Sequence, residues 1–192
     1  MTGFLFFLLA CSASQDPDTA DTASPADTET KDTGTRDPVK DLDPSSFPNA
    51  DDACREPELF WVKDVLDGDT IRVEGKWGGE TVRLIGINAP EMDWDTQAHD
   101  CWGQEALNAL QTTVLNQWVW LLFDENCEDD FGRTLAYVHR GSKLEDFIQR
   151  ALIRNGHVEA YKVKPNDHFE TLFNADETFA RNENNGLWGK CN

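Results

Sequence analysis

The sequence predicts a mainly β domain with helices (α+β), a small closed barrel of five strands packed against three helices. Three observations lead there. Five short runs rich in β-branched and aromatic residues are punctuated by Gly, Pro, Asn and Asp. Three other segments place apolar residues at helical spacing. Their order, βββαββαα, suits a five-stranded barrel of the OB type with helical packing.

The elements follow in chain order. Phe60 to Leu66 and Thr70 to Glu74 are strand-like runs around the turn Asp67-Gly68-Asp69. Lys76-Trp77-Gly78-Gly79 is a hairpin signal. Thr81 to Ile87, TVRLIGI, is a third strand stopped by Ala89-Pro90. Met92 to Trp102 is polar and aromatic and is expected to be a loop. Gln104 to Leu115 carries Ala106, Leu107, Leu110, Val114 and Leu115 on one helical face. Trp118 to Phe123 and Thr134 to His139 are the fourth and fifth strands. Leu144 to Arg154 is a helix with Leu144, Phe147, Ile148, Ala151 and Leu152 on one apolar face, stopped at Gly156, and Phe169 to Arg181 a third helix, with Phe169, Leu172, Phe173 and Phe179 inward.

Apolar residues are unevenly spread along the 192 positions. Residues 1–11 end a short apolar run at Leu8-Leu9-Ala10-Cys11, too short to span a bilayer and similar to a bacterial lipobox. Cys11 is then the expected lipidation site, and the protein is expected to be exported and membrane-anchored, facing the periplasm or the cell exterior. The preceding Met-Thr-Gly lacks Lys and Arg, which departs from an ordinary signal peptide. Residues 12–55 are rich in Asp, Ser, Thr and Pro and are expected to be a disordered linker, since they bury too little to offset chain entropy. Residues 56–192 form the domain, expected to be a monomer.

Net charge is −19. Residues 1–54 hold 3 basic and 11 acidic side chains, residues 55–192 hold 14 and 25. An acidic domain excludes broad, nonspecific polyanion binding. Contact with nucleic acid must rest on a few placed cations and a metal ion.

Four further cysteines suit two disulfides in an exported chain. Three pairings are possible. Cys54 and Cys191 bracket the domain and Cys101 and Cys127 lie within it, which favours Cys54–Cys191 and Cys101–Cys127. No CxxC or Cys/His cluster supports a zinc site.

Four fragments carry chemistry together. Asp67-Gly68-Asp69-Thr70 offers hard oxygen ligands at a tight bend, though such strings are usually plain turns. Arg83 sits in an apolar strand and requires a partner. Asp129 to Tyr137, DDFGRTLAY, places Arg133 where a turn enters a strand. Gly186-Leu187-Trp188 closes the domain.

In this order and spacing the fragments resemble the staphylococcal nuclease (thermonuclease) family, whose pattern runs VxDGDTxxV, RLxGIDAPE, GxEA, DRYGRxLAYV and GLW. Here VLDGDTIRV, RLIGINAPE, GQEA, DDFGRTLAYV and GLW span about residues 60–189. The resemblance implies an OB-type barrel and calcium-dependent hydrolysis of DNA and RNA to 3′-phosphate products. It makes Asp69, Asn88 and the Ala89 carbonyl calcium ligands, and Glu91 the general base or water-orienting carboxylate. Arg83 and Arg133 would grip the phosphate, and Tyr161 would hydrogen-bond it.

Departures from the pattern matter. Asn88 replaces a ligand Asp and removes a negative charge, so weaker calcium binding is expected. Asp130 and Phe131 replace a basic residue and a tyrosine. Phe131 can still stack on a base, while Asp130 would repel phosphate. Trp94 and Trp102 could stack on bases or hold the loop down. The four histidines show no ligand spacing. The alternative function is a catalytically impaired module that binds nucleic acid or protein.

Overall fold

Alternating apolar residues build the barrel. The computed structural model describes residues 37–48, 50–93, 95–96 and 99–191. Cys11, the signal segment, most of the linker and Trp94 lie outside the described residues. Strands β1 (Glu58–Val65), β2 (Thr70–Gly75) and β3 (Gly78–Leu84) form an antiparallel meander. The chain leaves β3 after Leu84 and turns at Gly86, whose φ of +81° an L side chain rarely adopts, and a Cβ there would meet the Phe173 ring at 2.3 Å. The expected third strand is therefore broken, and its end becomes the short β4 (Ile87–Asn88) in a separate two-stranded sheet.

Helix α1 (Gly103–Val114) leads to β5 (Trp118–Leu122), which pairs with β1 and closes the barrel. Strand β6 (Thr134–His139) runs antiparallel to β5 and parallel to β3, giving the cyclic order β1-β2-β3-β6-β5. Val62, Ile71, Val82, Leu84, Leu110, Leu121 and Val138 fill the core. At the parallel seam, buried Gln149 accepts from Val138 N–H (3.1 Å) and donates to the Ala136 (3.2 Å) and Ile85 (3.4 Å) carbonyls. These bonds satisfy backbone groups next to the point where β3 ends.

Leu144–Asp146 is a 3₁₀ turn and α2 runs from Ile148 to Arg154, so the expected second helix splits at Phe147. Phe147 is extended because it bridges back to His139. Its ring contacts Tyr137, His139, Phe169 and Phe173, with centroids 4.0–5.7 Å away. Strand β7 (Glu159–Ala160) pairs with β4; α3 (Glu170–Asn182) and α4 (Leu187–Lys190) complete the fold. Buried Asp176 of α3 takes Arg150 (2.6 Å) and Arg154 (2.8 Å) of α2.

Several expectations are corrected. Leu144 and Phe179 are exposed; Phe179 instead lies under the Arg154 guanidinium, 4.2 Å from its ring centroid. The linker expected through residue 55 is folded from Asp37 on. Asp37 and Asp43 cap two 3₁₀ turns, which bury Val39 and Phe47 in the core. The disulfides are Cys54–Cys127 and Cys101–Cys191. Because β1 pairs with β5, Cys54 lies along the chain leaving β5, its N–H donating to Asp124 O at 2.8 Å, and Cys127 is the cysteine within reach. Cys101, at the start of α1, is left with Cys191 after α4.

His139 is fully buried and stacked on Phe147. Burial lowers its pKa from 6.5 to about 4, against a small opposing contribution from the Gly141 backbone. The unfolded chain therefore binds the extra proton between those values, and stability is lost as pH falls through that window. By pH 5 the loss attributable to this side chain is about 2 kcal/mol. Urea denaturation at pH 7 and pH 5 checks it: His139→Phe should lose about 2 kcal/mol less than the parent over the same interval. Equal losses would contradict the assignment.

Candidate active site

The turn before β2 sets the site. The Asp67 carboxylate accepts the Asp69 N–H at 2.9 Å, tightening the bend. Gly68 lies so close to α1 and the segment after β4 that a Cβ would meet Ala89 Cβ at 2.7 Å and Ala106 Cβ at 2.8 Å. This approach brings Asp69 against Ala89, whose N–H donates to Asp69 Oδ2 at 2.7 Å. Thr70 Oγ1 donates to Asp69 Oδ1 at 3.1 Å.

Arg83 on β3 completes the corner. Its Nη2 lies 3.0 Å from Asp69 Oδ2 and donates to Ile87 O (3.0 Å) and Asn88 Oδ1 (3.2 Å), while Nη1 donates to Leu84 O. The partner that an arginine in an apolar strand requires is thus Asp69. Asp69, Arg83, Asn88 and Ala89 are brought into direct contact.

The remaining expected residues lie on segments next to this corner in the chain or the sheet. Arg83 is opposite Leu135 in the parallel pairing, so Arg133, just before β6, lies in the turn that enters the neighbouring strand. Strand geometry puts the two arginine Cα atoms roughly 8 Å apart. The Arg133 guanidinium is held by Asp129 Oδ2 at 2.7 Å and stands 5.4 Å from the centroid of the exposed Phe131 ring. Burial raises the Asp129 pKa, but the Arg133 N–H and guanidinium and the Phe131 N–H outweigh it and hold the carboxyl ionised. Glu91 follows Ala89 by two residues, at most about 7 Å of chain. It is exposed, and its backbone is fixed at both ends by Asp100: Glu91 N–H to Asp100 Oδ2 (3.2 Å) and Asp100 N–H to Glu91 O (3.0 Å). Tyr161 is exposed, its N–H donating to Gly86 O at 2.9 Å, which ties it to the segment entering Asn88. Trp102 donates through Nε1 to His157 Nδ1 at 3.3 Å, so it packs the loop down.

Sequence reasoning missed Asp129 and Asp100, which orient Arg133 and Glu91. The i,i+4 spacing of Asp129 and Arg133 around Gly132 was a readable turn signal; nothing local marks Asp100.

The side-chain donors gathered here are hard oxygens, the Asp69 carboxylate and Asn88 Oδ1, which meet at Arg83 Nη2. Among the described residues no three His, Cys, Asp or Glu side chains cluster as a metal site. Burial pushes the Asp69 carboxyl up to about 6, despite the Arg83 charge and with a smaller raising effect from Asp67. Hard oxygen donors of this kind suit an oxygen-preferring cation.

Residues 81–190 match the family model described as "Staphylococcal nuclease homologue". The chain belongs to the staphylococcal nuclease family. Within it, the chain is 33% identical over 131 residues to the thermonuclease of Staphylococcus intermedius, covering 68% of this chain and 76% of that protein. It is 32% identical over 127 residues to the SPbeta prophage-derived endonuclease YokF of Bacillus subtilis (strain 168), covering 65% of this chain and 42% of the relative. Endonuclease YncB of the same organism is 30% identical over 127 residues, 65% of this chain and 59% of that protein. The closed five-stranded barrel with its helices agrees with the family's expected OB-type fold.

Proposed function

We propose that this member of the staphylococcal nuclease family is a calcium-dependent phosphodiesterase that cuts DNA and RNA to 3′-phosphate products. The observation that carries the reading is the Asp69–Arg83–Asn88–Ala89 corner, with Arg133 in the turn entering the adjacent strand. The nuclease names of the relatives support it. Arg83 and Arg133 take the nonbridging oxygens of the scissile phosphate, where planar guanidiniums bind in bidentate fashion and charge rises in the transition state. Glu91 accepts the proton of the attacking water. Tyr161 hydrogen-bonds a neighbouring phosphate, and Phe131 stacks on a base. Asp69, Asn88 Oδ1 and the Ala89 carbonyl would hold calcium, which when bound supplies charge neutralisation and orients water. The protein acts as an exported monomer held on a membrane through Cys11, a reading supported by the Leu8-Leu9-Ala10-Cys11 pattern.

Incubation with single-stranded DNA and with RNA, in calcium or in chelator, tests the reading. Fragments should form only with calcium and resist polymerase extension until a phosphatase removes the 3′ end group. Fragments with free 3′-hydroxyls would overturn it. The second reading, a binding module, is favoured by Asn88 in a ligand position and by the acidic surface; retention of DNA without cutting would establish it.

Asn88→Asp restores a negative charge beside Asp69 and is expected to tighten calcium binding about tenfold or more, since ligand charge sets affinity. Calorimetry measures it; unchanged affinity would remove Asn88 from the ligand set.

A further inference from the structure

A second surface lies at the far end of β2. Asp69 precedes the first residue of that strand, and Gly75 at its last residue lines an open groove walled by Trp61, Trp77, Trp118 and Trp120. Six strand residues set it roughly 17 Å from the catalytic corner. Trp120 is fixed by its Nε1–H donating to Val39 O at 2.8 Å, and Trp61 meets Trp118 edge-on at 5.4 Å. Trp77, on the hairpin, is 80% exposed and so leaves a large indole face to solvent.

The charge around these rings is unlike that of the chain. Lys40 Nζ stands 4.2 Å from the Trp118 ring centroid, and Lys76 Nζ 4.6 Å from that of Trp77. Among the described residues neither lysine makes an ion pair. Of the two acids on the rim, Glu74 pairs with Lys63 at 2.9 Å, and Glu58 shares Arg55 (2.7 Å) with Glu80 (3.0 Å). In a protein of net charge −19, the groove thus pairs stacking surface with two lysines set against its rings.

We infer that this tryptophan groove is an exosite for single-stranded nucleic acid, stacking bases on Trp77 and its neighbours while Lys40 and Lys76 meet the phosphates. Base stacking on aromatic rings tolerates any sequence and adds to backbone charge contacts. The inference rests on the nuclease reading: the exosite holds a strand whose other segment lies across Arg83 and Arg133. It would offset the weak attraction of an acidic surface for a polyanion.

The full chain, in chelator, is titrated into a labelled thymidine 20-mer and followed by anisotropy. The double variant Lys76→Ala/Trp77→Ala, both sites exposed, should raise Kd about tenfold or more. Trp77→Phe, which keeps a ring, should stay within about threefold. In calcium, kcat/KM on the 20-mer should fall in parallel through KM, while a dinucleotide, too short to reach the groove, is cut at the parental rate. An unchanged Kd in the double variant would overturn the exosite. So would parental binding to anionic vesicles or soluble glycans that matches the oligonucleotide and is lost in the same variant. If calcium produces no cutting but oligonucleotide binding still depends on Trp77, the exosite stands and the hydrolase reading fails.

Discussion

Arg83→Ala is expected to lower the rate of single-stranded DNA cleavage by about 10²–10³-fold, the usual loss when one preorganised electrostatic donor to a developing anion is removed. The side chain does two jobs. Its guanidinium pairs with buried Asp69 and hydrogen-bonds the Leu84, Ile87 and Asn88 oxygens, which fixes the segment leading to Ala89 and Glu91. It is also the cation closest to the proposed metal ligands. Truncation therefore leaves a buried carboxylate short of charge, and some destabilisation accompanies the loss of rate. Arg133→Ala separates the effects: Arg133 belongs to a surface turn and is paired with Asp129, so its removal should spare stability and still reduce the rate by a similar factor. Circular dichroism and cleavage kinetics on both variants measure this. A parental rate in either folded variant would remove that arginine from the reaction.

Removing the Cys101–Cys191 bridge is expected to reduce both stability and turnover. The bridge closes a loop of 90 residues, and on the chain-entropy account its loss costs about 4.6 kcal/mol. For a domain of this size that is a fall in Tm of roughly 12 °C. The effect on turnover has a local cause. Cys101 adjoins Asp100, which holds the Glu91 backbone through both an N–H and a carbonyl. Tying Cys101 to the chain after α4 limits how far Asp100 can move, and so how far the Glu91 carboxylate can leave the attacking water. Cys101→Ser/Cys191→Ser should lower kcat several-fold at a temperature where it remains folded, with a smaller change in KM. Scanning calorimetry and steady-state kinetics test the two parts. An unchanged Tm would refute the stability argument, and an unchanged kcat the positioning one.

Much of the barrel was legible because its strands alternate. Thr134–His139 is bounded as expected, and β1, β2 and β5 deviate by a residue or two at their ends. The break in the third strand was not legible. TVRLIGI reads as one run, and only the close approach of Phe173 makes Gly86 turn the chain. That turn places Asn88 and Ala89 beside Asp69. Val39 and Phe47 are single apolar residues in a polar stretch, without periodicity, so their burial was invisible until the barrel existed to receive them. The cysteine pairing failed for a related reason. Bracketing positions in sequence say nothing about the β1–β5 pairing that sets Cys54 beside the exit of β5. The motif spacing pointed to Asp69, Arg83, Asn88 and Ala89, which the fold brings together, and the need of Arg83 for an acid was readable; Asp129 opens the DDFGRTLAYV motif but its hold on Arg133 was not read from it, and Asp100 belongs to no motif.

The central claim is that Glu91, two residues beyond the Ala89–Asp69 contact, acts on the same phosphate that the two arginines hold. Single-turnover cleavage of single-stranded DNA by Glu91→Gln, in saturating calcium and compared with the parent, tests it most directly. The substitution keeps the side chain's size and removes its ability to accept the proton. A rate lower by about 10²-fold or more, with DNA still bound, is predicted. A parental rate would contradict the account.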